Sequence, residues 1–299
     1  MGRLYFLDIS GRILSCSTAS TDTKTLVDNL KDHPDGIAVD HARKHIWWTN
    51  MGSTINDDGT CYKHDGSIQR CDVDGANLKT IIPEGVTRTP KQCIVAPKSQ
   101  QLYWCDREGM RVMRSNLDGT GVETLIVSGT SDEDMRNPEN WCVGVSVDER
   151  NGHLYWTQKG PPKAGKGRIF RAGLQLLPGE KAETRTDIQV LFDNLPEPID
   201  LEFDEEHNRL YWTDRGAPPE GNTVNGAFMV AGAGSSFEKS ILVKNLHEGI
   251  GISLGLANKR MFFGDLQGSI YEADLDGKNE KVILRNMGHT TGIAYVDTA

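Results

Sequence analysis

Leu210-Tyr211-Trp212-Thr213-Asp214 is one copy of a pentapeptide that occurs six times, and this repetition constrains the fold more than any bulk property. The other copies are Leu4-Tyr5-Phe6-Leu7-Asp8, Ile46-Trp47-Trp48-Thr49-Asn50, Leu102-Tyr103-Trp104-Cys105-Asp106, Leu154-Tyr155-Trp156-Thr157-Gln158 and Met261-Phe262-Phe263-Gly264-Asp265. Counted at the second residue, successive copies are 42, 56, 52, 56 and 51 residues apart. A period of about 50 residues built from short strands signals a propeller with one blade per repeat.

The blade can be drawn from the chain. Seven residues before three of these markers an Asp ends an alternating apolar run: Gly36-Ile37-Ala38-Val39-Asp40, Gly144-Val145-Ser146-Val147-Asp148 and Asp200-Leu201-Glu202-Phe203-Asp204. Polar residues separate run and marker, so each unit reads as strand, tight hairpin, strand. A third strand follows, as at Ser67-Ile68-Gln69-Arg70 and Arg111-Val112-Met113-Arg114. An Asp- and Gly-rich turn such as Asn116-Leu117-Asp118-Gly119 then leads to a fourth, as at Glu123-Thr124-Leu125-Ile126-Val127. The ends complement each other. Gly292–Asp297 is a first strand without a second, and Leu4–Asp8 is a second without a first. The C-terminal strand is therefore expected to join the N-terminal blade and close the ring, which removes a free sheet edge. The expectation is an all-β, six-bladed propeller of four-stranded antiparallel blades, with residues 1–299 as one domain.

On these six motifs, with their GIAVD-like upstream and DLDG-like downstream partners, the chain resembles the YWTD six-bladed propellers of the low-density lipoprotein receptor type. The resemblance covers essentially the whole sequence. It implies that the pentapeptide is structural, its aromatics packing between blades and its Thr and Asp tying strands together.

Charge and cysteines set the surroundings. The net charge is −9, from 42 acids against 33 bases, which argues against nucleic acid or an anionic membrane as partner. No apolar run approaches the roughly 20 residues of a membrane span. Met1 leads almost at once into the first strand, so no signal peptide is expected. Cys16, Cys61, Cys71, Cys93, Cys105 and Cys142 lie at unrelated spacings without CxxC, and no Asn-x-Ser/Thr sequon occurs. The expectation is a reduced, cytoplasmic, monomeric propeller.

The loops point to a working face. Those joining strands two and three, and four to the next blade, include the long segments 50–66, 128–140, 158–167 and 214–226, whereas the other set is mostly short turns with one longer excursion at 175–186. The same face receives the start of each innermost strand. Aligned by the seven-residue rule, three positions before Gly36 and its equivalents stand His33, Thr89, Trp141, Glu197, Glu248 and His289. One position before stand Asp35, Lys91, Val143, Ile199, Ile250 and Thr291. Small residues are expected where six strands converge, so Gln92 and Asp200 at the Gly position deviate, as does Glu202 two residues further on. Imidazoles and carboxylates suit proton transfer. His33, Glu197, Asp200, Glu248 and His289 are accordingly the catalytic candidates. Asp35, Asn50, Lys91, Gln92, Trp141 and Glu202 are the substrate-binding candidates.

The function read from these residues is a small organic substrate bound at the channel mouth and transformed without a cofactor. Isomerisation, cyclisation, elimination or cycloaddition of a biosynthetic intermediate fits. Two alternatives stand beside it. The resemblance implies a protein-interaction module using the long-loop face. Other six-bladed propellers suggest a lactonase-like hydrolase holding a divalent cation between Glu197, Asp200 and Glu248. Gly232-Ala233-Gly234 is a lone GxG, and Asn56-Asp57-Asp58-Gly59 lacks the spaced ligands of a calcium loop.

Overall fold

The computed structural model describes residues 2–53, 63–229 and 237–297. The Asn56–Gly59 and Gly232–Gly234 runs and Cys61 lie outside the described residues. Six four-stranded antiparallel sheets form the blades. Blades 2 to 6 begin with the innermost strands Pro34–Asp40, Pro90–Ala96, Cys142–Asp148, Pro198–Asp204 and Gly249–Gly255. Blade 1 takes its innermost strand from the C-terminus: Thr290–Asp297 pairs with Gly2–Asp8, Tyr295 opposite Leu4 and Ala294 opposite Tyr5. The six innermost strands touch in sequence around a complete circle. Among the described residues helix is limited to Asp132–Met135 and two short 3-10 turns.

The pentapeptide works through the two-residue period of a strand, which sends its second and third side chains to opposite faces of the sheet. Each second residue packs with the third residue of the following blade: Tyr103 with Trp156, Tyr155 with Trp212, Tyr211 with Phe263. Phe262 with Phe6, Tyr5 with Trp48 and Trp47 with Trp104 complete the circle. All these rings are essentially buried. At about 150–250 Å² apiece, each contributes roughly 4–6 kcal/mol of transfer free energy before entropy is charged against it.

In the three copies that carry Thr at the fourth position, its hydroxyl clamps neighbouring blades. Thr49 Oγ1 accepts from the Gly36 N–H and donates to the Lys91 carbonyl, both at 2.8 Å. Thr157 joins Gly144 to Ile199 in the same way, and Thr213 joins Asp200 to Ile250. The fifth residue holds the loop above. Asp106 accepts the N–H groups of Arg88 and Thr89, and Asp214 those of Glu197 and Gly216. Replacing Thr213 by the isosteric Val leaves one buried N–H and one buried carbonyl unpaired, so a loss of about 2 kcal/mol is expected. Chemical denaturation of the variant checks this; an unchanged midpoint would remove the clamp from the argument.

Glycine at the start of the innermost strand is a packing requirement. A Cβ on Gly36 would lie 2.5 Å from the Lys91 carbonyl oxygen, and one on Gly144 would lie 2.3 Å from that of Ile199. Gln92 and Asp200 are the residues these glycines face, so larger side chains occur where the preceding blade carries Gly.

Candidate functional site

Two six-membered rings line a cavity of about 240 Å³ at the long-loop end of the channel. The first ring is the one aligned in the sequence: Asp35, Lys91, Val143, Ile199, Ile250 and Thr291. The second is made by the residue after each pentapeptide: Ile9, Met51, Arg107, Lys159, Arg215 and Leu266. Blades 3, 4 and 5 thus present three cations in succession, and blades 6, 1 and 2 present three apolar side chains. Val143, Ile199 and Ile250 pack together as a buried apolar floor, with Leu266 against them.

A hydrogen bond found in five of the six blades joins the rim to the second ring. The N–H of the residue after the pentapeptide donates to the carbonyl of the residue three before the Gly position. Met51 donates to His33, Arg107 to Thr89, Arg215 to Glu197, Leu266 to Glu248 and Ile9 to His289, at 2.9–3.2 Å. His33 and Glu248 adopt left-handed backbone there, at φ 57° and 61°. The side chains of this rim therefore lead outward or along the wall. His33 Nδ1 lies 3.0 Å from the Gly52 carbonyl oxygen, and the exposed His289 places Nδ1 2.8 Å from that of Leu266. Glu248 is a surface carboxylate 3.4 Å from Lys163 Nζ. None of the three lines the cup.

Glu197 is buried behind the wall as the counter-ion of two wall cations. Its Oε1 accepts from Arg215 Nε at 2.8 Å and lies 3.2 Å from Lys159 Nζ, while Oε2 accepts the Lys163 N–H. Trp141 is buried between Met110 and Met135, its indole N–H donated to the Met135 carbonyl at 2.8 Å. The Arg107 guanidinium and the Lys159 ammonium stand 5.0 and 5.3 Å from its ring centre, so it supports the cationic wall through cation–π contact. Arg107 also forks onto the buried carboxylate of Glu108. Burial depresses the Lys159 amine to about 8, with Glu197 opposing the shift and Arg215 and Arg107 assisting it.

Asp35 and Lys91 belong to the cup. Their side chains pair at 2.5 Å, and Gln92 Nε2 donates to the other Asp35 oxygen at 3.3 Å. Burial lowers the Lys91 amine as well. Asn50 is a buried scaffold residue in the pentapeptide's last position, donating to Ser67 Oγ at 3.1 Å.

Deeper in the channel a second, smaller cavity of about 100 Å³ is lined by Gln92, Asp200 and Glu202 among others. Asp200 Oδ2 accepts the Ile252 N–H and Glu202 Oε2 accepts the Leu254 N–H, so both carboxyls tie blade 5 to blade 6. Desolvation raises the Asp200 carboxyl well above the usual range and raises Glu202 to about 7. Glu197, Asp200 and Glu248 thus have separate partners. Among the described residues no three or more His, Cys, Asp or Glu side chains are gathered to hold a metal ion.

The five described cysteines are unpaired and buried. No helix among the described residues is long and apolar enough to cross a membrane.

Arg107, Lys159 and Arg215 escape a reading of the innermost strands alone. The signal that finds them is the sixth position of the repeat, immediately after each pentapeptide.

No family profile matches the chain. It is 45% identical to "Low-density lipoprotein receptor-related protein 1" of Pyricularia oryzae, across 98% of each chain. It is 36% identical to "3-hydroxyacyl-CoA dehydrogenase-like protein LAM1" of Cochliobolus heterostrophus over 95% of its own residues, and spans 60% of that relative's length. Among solved structures, a chain of the nidogen/laminin complex superposes with a TM-score of 0.74 at 20% identity, covering 99% of this chain and 98% of that one. The fold, the six pentapeptide interfaces and full-length identity to a receptor-related relative agree: the chain belongs to the low-density lipoprotein receptor-related family of YWTD six-bladed propellers.

Proposed function

We propose that the protein binds a small organic molecule in the cup at the channel mouth and transforms it by proton transfer and charge stabilisation, without a redox cofactor. The observation that carries this reading is the composition of the two rings, three adjacent cations facing an apolar arc across the cavity. Small-molecule sites combine this kind of apolar lining with a few fixed polar groups. Lys159, held to about 8, is poised to exchange a proton near neutral pH. Arg107 and Arg215 flank it on blades 3 and 5, where they stabilise negative charge that develops on a bound carbonyl compound. The relative whose name refers to a hydroxyacyl-CoA dehydrogenase adds weak support for an enzyme, since this chain spans only part of it. Isomerisation or elimination next to a carbonyl is the reaction class that suits these groups.

The test is native mass spectrometry and thermal shift of the purified protein against a metabolite extract, with Leu266→Trp run alongside to fill the cup. A ligand present at about 100 times its Kd stabilises by roughly 2.7 kcal/mol. The expected result is a small-molecule adduct and a raised Tm in the wild type, both lost in Leu266→Trp. Capture of a protein partner on the long-loop face, undisturbed by Leu266→Trp and with no small-molecule adduct, would replace this reading with an interaction module.

A further inference from the structure

We infer that the cup selects an organic monocarboxylate of about 8–12 heavy atoms, its carboxylate against Lys159 and Arg215 and its apolar body against Ile9, Met51 and Leu266. This rests on the small-molecule reading above and names the ligand class. Three observations carry it. The cup's volume of about 240 Å³ equals roughly eight waters at liquid density, which sets the ligand's size. Charge and apolarity are segregated by blade, not mixed: blades 3 to 5 carry Arg107, Lys159 and Arg215, and blades 6, 1 and 2 carry Leu266, Ile9 and Met51. A ligand that satisfies both halves is amphiphilic, with its charge at one end.

The third observation is the count of charges. Lys91 has Asp35 at 2.5 Å, one carboxylate for one cation. Lys159 and Arg215 share the single Oε1 of Glu197, at 3.2 and 2.7 Å. Among the described residues these two cations thus share one carboxylate, an excess of one positive charge at this part of the wall. One ligand carboxylate balances that excess, whereas a phosphate dianion overshoots it. Charge-assisted hydrogen bonds from an ammonium and a guanidinium are the strong kind, though the Nε and Nη2 of Arg215 are already turned to Glu197. A neutral ligand leaves the excess charge beside the apolar floor uncompensated, so discrimination against amides and alcohols follows.

The experiment uses matched probes on the full chain: phenylacetate, phenylacetamide, 2-phenylethanol and phenyl phosphate, with affinities from ligand-observed NMR or calorimetry. Phenylacetate is expected to bind at least tenfold more tightly than the amide, the alcohol or the phosphate. Leu266→Trp is expected to abolish its binding. Leu266→Asn is expected to weaken phenylacetate several-fold while keeping the preference over the amide, because it alters only the apolar arc. Equal or tighter binding of the amide or the alcohol, blocked by Leu266→Trp, would overturn the carboxylate assignment and leave the small-molecule cup standing. Tighter binding of phenyl phosphate would replace monocarboxylate with phosphate ester. Carboxylate binding indifferent to both Leu266 variants would move the site away from the cup, and absence of binding by every probe at millimolar concentration would overturn the assignment outright.

Discussion

Glu197→Ala is expected to destabilise the protein by about 3–5 kcal/mol, the cost of leaving buried cations without their counter-ion. Two cations lose their carboxylate together. Lys159 is almost wholly buried, with a side-chain exposure of 5%, and among the described residues Glu197 is the carboxylate its ammonium pairs with. Arg215 is more open, so its share of the loss is screened by water. Glu197→Gln separates charge from shape, since the amide keeps an oxygen for the Arg215 and Lys159 hydrogens but removes the charge that holds the Lys159 proton. Glu197 is the main influence raising the Lys159 amine against its desolvation. In Glu197→Gln that amine is therefore expected to titrate below its wild-type value of about 8. Urea denaturation gives the stability of both variants, and the pH dependence of amine labelling followed by peptide mass mapping gives the Lys159 titration. Wild-type stability in Glu197→Ala, or an unmoved Lys159 titration in Glu197→Gln, would mean that the pair does not organise the wall.

The architecture was legible because the propeller repeats one physical solution six times. Alternation along a strand forces Tyr211 and Trp212 to opposite interfaces, so the pentapeptide carries the packing of the whole ring in two adjacent letters. Pairing of the terminal strands followed from the orphaned Gly292–Asp297 and Leu4–Asp8 segments. The floor of the cup was legible for the same reason, through the register of Asp35, Lys91, Val143, Ile199, Ile250 and Thr291. The rim was not. Chemical type alone ranks His33, Glu248 and His289 above Met51 or Leu266, and nothing in a side-chain identity announces a left-handed backbone at His33. In five of the six blades the carbonyl of the rim residue is taken by the N–H after the pentapeptide, and it is the side chain after the pentapeptide, not that of His33, Glu248 or His289, that lines the cup. Trp141 shows the same limit. An indole at a channel mouth reads as a wall for substrate, but the short helix Asp132–Met135 in the preceding loop supplies a carbonyl for its N–H and Met135 for its face.

Glu202→Gln is expected to leave stability at pH 5 near that of the wild type and to raise it at pH 8 by as much as about 3 kcal/mol. In the folded chain the Glu202 carboxyl titrates near 7, above the ordinary 4.5, because the channel withholds water from its charged form. The folded state therefore binds more protons than the unfolded state between these values, and stability falls as pH rises through that window. Below about 4.5 the side chain is neutral in both states and exerts no penalty. Above about 7 it is charged in both, and the full difference of roughly 2.5 units, at 1.36 kcal/mol each, weighs against folding. Gln carries no charge at any pH and keeps an oxygen for the Leu254 N–H, so it removes the penalty while retaining the tie between blades 5 and 6. Asp200 lies in the same channel cavity and is also shifted upward, with Glu202 among the causes; losing the Glu202 charge relieves it in the same direction. Histidines and carboxylates elsewhere titrate in both proteins and cancel in the difference. Urea denaturation of the two proteins in parallel at pH 5, 6, 7 and 8 measures that difference directly. A gap that widens with pH and levels off above 7 supports a desolvated, structurally retained acid in the channel; a gap that is flat across the range would place water around Glu202 and remove desolvation as the cause of its shift.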